Sequence, residues 1–157
     1  MKEVDRKVEQ AIANLLEKDR VLLQINASER AISHRLALYL QLLFGNWDVD
    51  CEYNRDLNTP KKLYLELKDT LSHKRGVFNN PYDTNAITVF PDIVVHKRMR
   101  PINLLIIEIK KTTSTVGDSF DYFKLRKFKT QYGYHYALFL KFVTDGREVG
   151  VEVKEYL

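Results

Sequence analysis

Cysteine is almost absent from this chain: Cys51 stands alone among 157 residues. A lone thiol excludes a disulfide scaffold and a cysteine-based zinc site, and it suits a reducing cytoplasm. No apolar run approaches the roughly 20 residues that a membrane-spanning helix requires. The opening residues, MKEVDRKVEQ, are charged and amphipathic and lack the apolar centre of a signal peptide. Low-complexity tracts, internal repeats and a domain linker are missing too. Hydrophobic residues make up 45% of the chain and charged residues 29%, the composition of a folded chain rather than a disordered one. The length accommodates one domain with a substantial core. A net charge of +4 and a pI near 9.1 lean mildly toward polyanionic partners.

What is present is a sequence of well-marked periodicities. Over residues 3–18, Val4, Val8, Ala11, Ile12, Leu15 and Leu16 fall at helical spacing opposite a charged face. A second helix is predicted at about 27–43, capped by Asn26, with a stripe of Ile32, Leu36, Leu40 and Leu43, and ended by Gly45 and Asn46. WDVDCEY (47–53) alternates as a half-buried strand near a sheet edge. Residues 54–86 break the pattern and read as an irregular basic insertion, with a short basic helix within 61–75. Strands follow at roughly 89–96 and 103–111, joined by KRMRP. A helix over 118–133 ends at Gly133, and two strands at 134–143 and 149–157 are joined by TDGRE. The order predicts an α/β or α+β fold, a central mixed sheet of about five strands flanked by helices. Residues up to about 25 form an N-terminal helical extension to it.

The stretch PDIVVHKRMRPINLLIIEIKK (91–111) is the chemically unusual one. NLLIIEIKK is rich enough in Leu and Ile for a strand buried on both faces, yet it carries Glu108 and Lys110. Side chains two apart on a strand share a face, with Cα atoms ~6.6 Å apart. Glu108 and Lys110 therefore point one way, and Ile107 and Ile109 the other. If the two strands pair as a hairpin with Asp92 near Glu108, two carboxylates meet beside one ammonium. Close carboxylates repel unless a proton or cation intervenes, and a hard divalent ion with oxygen ligands meets that need.

Pro91-Asp92 followed, after fifteen residues, by Glu108-Ile109-Lys110 resembles the PD-(D/E)XK nuclease superfamily, which has the restriction-endonuclease-like fold. The resemblance covers about residues 27–143, where the helix, three strands, helix and further strand follow in the superfamily's order. It implies a Mg²⁺-dependent nuclease (Mn²⁺ as substitute) that hydrolyses phosphodiesters, in DNA in preference to RNA. Asp92, Glu108 and the backbone carbonyl of Ile109 would hold the metal, and Lys110 would orient the attacking water and offset charge growing on the phosphorane. The superfamily's further acidic residue on the first core helix maps to Glu29. Arg35, Lys111, Lys124 and Gln131 are candidate nucleic-acid contacts, with Lys124 near a position where the superfamily has a supporting basic or polar residue and Gln131 able to serve similarly. Relatives of this kind often pair to cut two strands, so a homodimer is compatible with the resemblance.

Each of these residues also has an ordinary reading. Glu108 and Lys110 would form an edge-strand ion pair gaining ~0–1 kcal/mol. Asp92 would be a strand-start residue after proline. Glu29 would complete a capping box with Asn26. His96 reads as a solvated strand-end histidine, the bases of 118–133 as a solvated helix face, and Lys61, Lys62, Lys68, Lys74 and Arg75 as loop charge or phosphate contacts. The alternative function is a nuclease-fold module that binds nucleic acid or a protein without cutting; a third is an inhibitor or partner protein in which Asp92 and Glu108 are structural.

Overall fold

The computed structural model describes residues 1–53, 55, 56, 59, 60, 62–64 and 86–157, with side chains at 1–53 and 89–157. The helices are α1 (Lys2–Lys18), α2 (Arg20–Gln24), α3 (Glu29–Leu43) and α4 (Ser119–Tyr132). The strands are β1 (Asp48–Cys51), β2 (Arg55–Asp56), β3 (Thr59–Pro60), β4 (Lys62–Tyr64), β5 (Ala86–Thr88), β6 (Ile93–Lys97), β7 (Ile102–Lys111), β8 (Tyr136–Val143) and β9 (Gly150–Tyr156). Five strands form a mixed sheet in the order β1-β6-β7-β8-β9; β7 and β8 are parallel, joined through α4, and the other neighbours are antiparallel. This is an α+β fold with β7 at the centre. Two short ribbons, β2-β3 and β4-β5, lie in the predicted insertion and at its end; residues 62–64 are strand, and the short helix expected within 61–75 falls on residues outside the described ones. The rest of that basic segment, with Lys61, Lys68, Lys74 and Arg75, lies outside the described residues.

Strand alternation sorts the core into two layers. Leu105, Ile107 and Ile109 of β7 and Leu138, Leu140 and Phe142 of β8 pack beneath α1 and α3, against Val8, Leu15, Ile32, Leu36 and Leu40. The predicted N-terminal extension is thus part of the main core. Ile106, Ala137 and Phe139 point the other way, onto Leu125 and Phe128 of α4. Glu108 and Lys110 belong to this second face by parity. Gly133 ends α4 in the left-handed region, φ 66°, a conformation glycine enters without a Cβ penalty. No helix among the described residues is long and apolar enough to cross a membrane.

Two local expectations are corrected. The N-cap of α3 is Ser28, whose hydroxyl accepts from the Ala31 N–H at 3.2 Å, while Asn26 has φ 54° and lies one turn outside the helix. A serine at the cap position reaches the orphan N–H as well as asparagine does. His96 is 3% exposed rather than solvated. A register shift between Val95 and His96 accompanies its placement beside Asp50 at 2.9 Å and against the Tyr53 ring, centroids 4.5 Å apart.

Candidate active site

β7 is twice as long as β6, and this overhang creates the site. Ile93 pairs with Ile107 and Val94 with Ile106; one step further, the same register sets Asp92 opposite Glu108, where β6 has not yet begun. Beyond that point the backbone N–H groups of β7 facing the β6 side have no strand to meet, and a buried donor without a partner is costly. Two carboxylates take them. Asp92 Oδ2 accepts from Ile109 N at 2.7 Å, and Glu29 Oε1 accepts from Lys111 N at 3.1 Å. Because an extended residue turns its N–H and C=O toward the same side, the Ile109 carbonyl also faces this edge.

Glu29 therefore does not close a capping box with Asn26; it reaches across to the end of β7. Asp92 and Glu29 come together there: burial raises the Asp92 carboxyl above its ordinary value, the Ile109 bond and the Lys124 charge oppose this, and the Asp121 and Glu29 charges add to it.

On the α4 face, Glu108 and Lys110 do not pair with one another as the edge-strand reading has it. Lys110 Nζ donates to Asp121 Oδ2 at 2.9 Å, and Lys124 Nζ donates to Glu108 Oε2 at 2.5 Å while standing 3.3 Å from Asp121 Oδ1. Glu108 is 1% exposed and Lys110 6%. Burial pushes Glu108 well above its ordinary pKa, with Lys124 working against this and Asp92 reinforcing it. Burial works against the charge of Lys124, but Glu108, then Asp121 and Asp92, override it and hold the ammonium above its ordinary value. Among the described residues, the carboxyl groups of Asp92, Glu108, Asp121 and Glu29 share this end of the sheet with the ammonium groups of Lys110 and Lys124.

Asp121 is the residue that the sequence reading misses. Its signal was available: Asp121, Lys124, Leu125 and Phe128 fall on one stripe of α4, and charges on the stripe that packs against the sheet require buried partners. The solvated-face reading fails for Lys124 for this reason. Gln131 does not join the site. It lies ten residues beyond Asp121, ~15 Å along the helix, on the exposed end of α4. Arg35 lies ~9 Å along α3 from Glu29 and is tied by Nε to Asp19 at 2.7 Å. Lys111 sends its ammonium to Asn26 Oδ1 at 2.9 Å and the Ala27 carbonyl at 3.0 Å, bracing the turn before α3.

The donor set suits a hard divalent cation. Among the described residues Glu108 Oε1 is buried with no hydrogen-bond partner, an orphan that calls for a cation or proton, and the Asp92 charge acts on the same carboxyl. Among the described residues no three of His, Cys, Asp and Glu form a ready-made metal cage; a Mg²⁺ site of this kind needs one or two carboxylates, water and substrate oxygens completing the shell. No family model, curated protein or solved structure matches the chain.

Proposed function

We propose that this protein is a metal-dependent nuclease of the PD-(D/E)XK type, with the restriction-endonuclease-like arrangement of its α+β core, acting on DNA in preference to RNA. The observation that supports it most is the convergence of Asp92, just before β6, and Glu108 of β7, with Lys110 on the face of Glu108. Charges in the most apolar strand of a sheet are expensive, and the three are placed where β7 emerges from β6. Asp92, Glu108 and the Ile109 carbonyl would hold Mg²⁺ or Mn²⁺, with Glu29 behind them. Bound there, the ion would supply Lewis acidity toward a phosphodiester and a water molecule.

The chain's own groups carry the rest. Lys110 is anchored through one contact to Asp121, which leaves ammonium protons to orient the attacking water and to stabilise a pentavalent phosphorus centre. Its anchor fixes that donor in advance, so little reorganisation accompanies the reaction. Glu108 and Lys110 are themselves buried, and the scarcity of bulk water around them strengthens each of these interactions.

Nicking of supercoiled plasmid in Mg²⁺ or Mn²⁺, abolished by chelator and by Asp92→Ala or Lys110→Ala in folded protein, is the expected result. Absence of cleavage by the wild type on duplex, single-stranded and RNA substrates would sink the proposal. One feature favours a second reading, a nuclease-fold module that binds nucleic acid without cutting: Lys124 and Lys110 already pair with Glu108 Oε2 and Asp121. Such a module would retard nucleic acid on a gel with no metal requirement. Sedimentation with and without duplex DNA tests the homodimer that double-strand cutting calls for.

A further inference from the structure

Glu108 uses its two oxygens unequally. Oε2 is held by Lys124 at 2.5 Å, while Oε1 has no partner. Lys124 reaches in from α4, its ammonium over the Phe120 ring with Nζ 5.7 Å from the centroid. Its ammonium also stands 3.3 Å from Asp121 Oδ1, so a second carboxylate waits within a short swing of the first. Lysine is suited to such a shift, being a point charge on a flexible stem rather than a planar fork. The other acids of the site are held by hydrogen bonds: Asp92 and Glu29 by backbone donors, and Asp121 by Lys110.

We propose that Lys124 is a tethered counter-ion that competes with the divalent metal for Glu108 and, once displaced, passes to Asp121. This rests on the metal-site reading above. In the metal-free protein the tether supplies the positive charge that a buried carboxylate requires, which keeps the site folded. With a metal held there, that charge would be redundant at Glu108, and the ammonium would pass to Asp121 Oδ1, 3.3 Å away. Lys124 is thus a positioning residue that weakens metal uptake in exchange for an intact empty site.

The test is metal affinity, not turnover. Lys124→Met keeps the stem and removes the charge; Mn²⁺ binding, read by electron paramagnetic resonance of free ion and by calorimetry, is expected to tighten at least tenfold, while the metal-free melting temperature falls and recovers on metal addition. A merely structural Lys124 would lower the melting temperature and leave affinity unchanged or weaker, which overturns the inference. If the Met variant does not fold, the wild type decides. The side-chain ammonium resonance of Lys124 must shift on Mg²⁺ titration, and a binding protein whose resonance stays put refutes the displacement. Failure of the wild type itself to take up Mn²⁺ or Mg²⁺ sinks the metal site and this inference together. A wild type that binds with a variant that binds no tighter sinks this inference alone.

Discussion

Asp121 Oδ2 and Lys110 Nζ lie 2.9 Å apart, joining the first turn of α4 to the far end of β7 through a pair that is almost wholly buried. Lys110→Ala leaves Asp121 short of one of its two cations in a dry environment, and a loss on the order of 3 kcal/mol is expected for a broken buried pair. Combining Lys110→Met with Asp121→Leu should recover most of it, because apolar residues of similar volume replace a buried ion pair with little penalty. Neither protein should cut. Chemical denaturation of the two singles and the double decides; a double no more stable than Lys110→Ala would refute the burial argument.

Asp92→Asn should leave the metal-free melting temperature unchanged or raise it. Burial disfavours the Asp92 charge, and asparagine keeps an oxygen for Ile109 N–H. Asp92→Ala loses that bond and should cost ~1 kcal/mol. Both should abolish the rise in melting temperature that Mg²⁺ gives the wild type. A marked drop in Asp92→Asn would point to a structural ion pair.

Stability should fall with rising pH in the metal-free protein. Glu108 and Asp92 both hold their protons to higher pH when folded, so above the ordinary carboxylate value of ~4 the native state binds more protons than the unfolded one. The slope of unfolding free energy against pH is then negative, running from that value up through the raised folded pKa. The two acids titrate as a coupled pair. Glu108→Gln should flatten this slope, and saturating Mg²⁺ should flatten it in the wild type. An unchanged slope in Glu108→Gln would show that other groups produce it.

Glu29 separates support from chemistry. Glu29→Gln keeps an oxygen for Lys111 N–H, so its stability should match the wild type within ~0.5 kcal/mol, while Mn²⁺ affinity weakens by roughly two- to tenfold as a nearby negative charge is lost. Calorimetry on folded protein measures this; equal affinity would leave Glu29 as a backbone cap for the β7 overhang.

Much of the architecture was legible because it rests on local periodicity. The 3.6-residue stripes marked α1, α3 and α4, the alternation in 47–53 marked an edge strand, and Gly133 marked a helix end that requires positive φ. The cap of α3 was misread because Asn26, Ser28 and Glu29 all carry cap chemistry, and which of them meets an N–H depends on where the chain turns. His96 was misread because its partners, Asp50 of β1 and Tyr53 just beyond it, lie more than 40 residues away in sequence.

What the sequence alone determined is the pairing of unlike demands on one strand: an apolar segment that must be buried and, two residues apart within it, an acid and a base that must then find partners. Which partners they find was decided by tertiary structure. Parity puts Glu108 and Lys110 on one face, but only the docking of α4 sends one to Lys124 and the other to Asp121. Only the unequal lengths of β6 and β7 leave N–H groups for Asp92 and Glu29 to cap. Spacing along a chain fixes direction within an element; the approach of elements far apart in sequence is set by how their buried surfaces fit together.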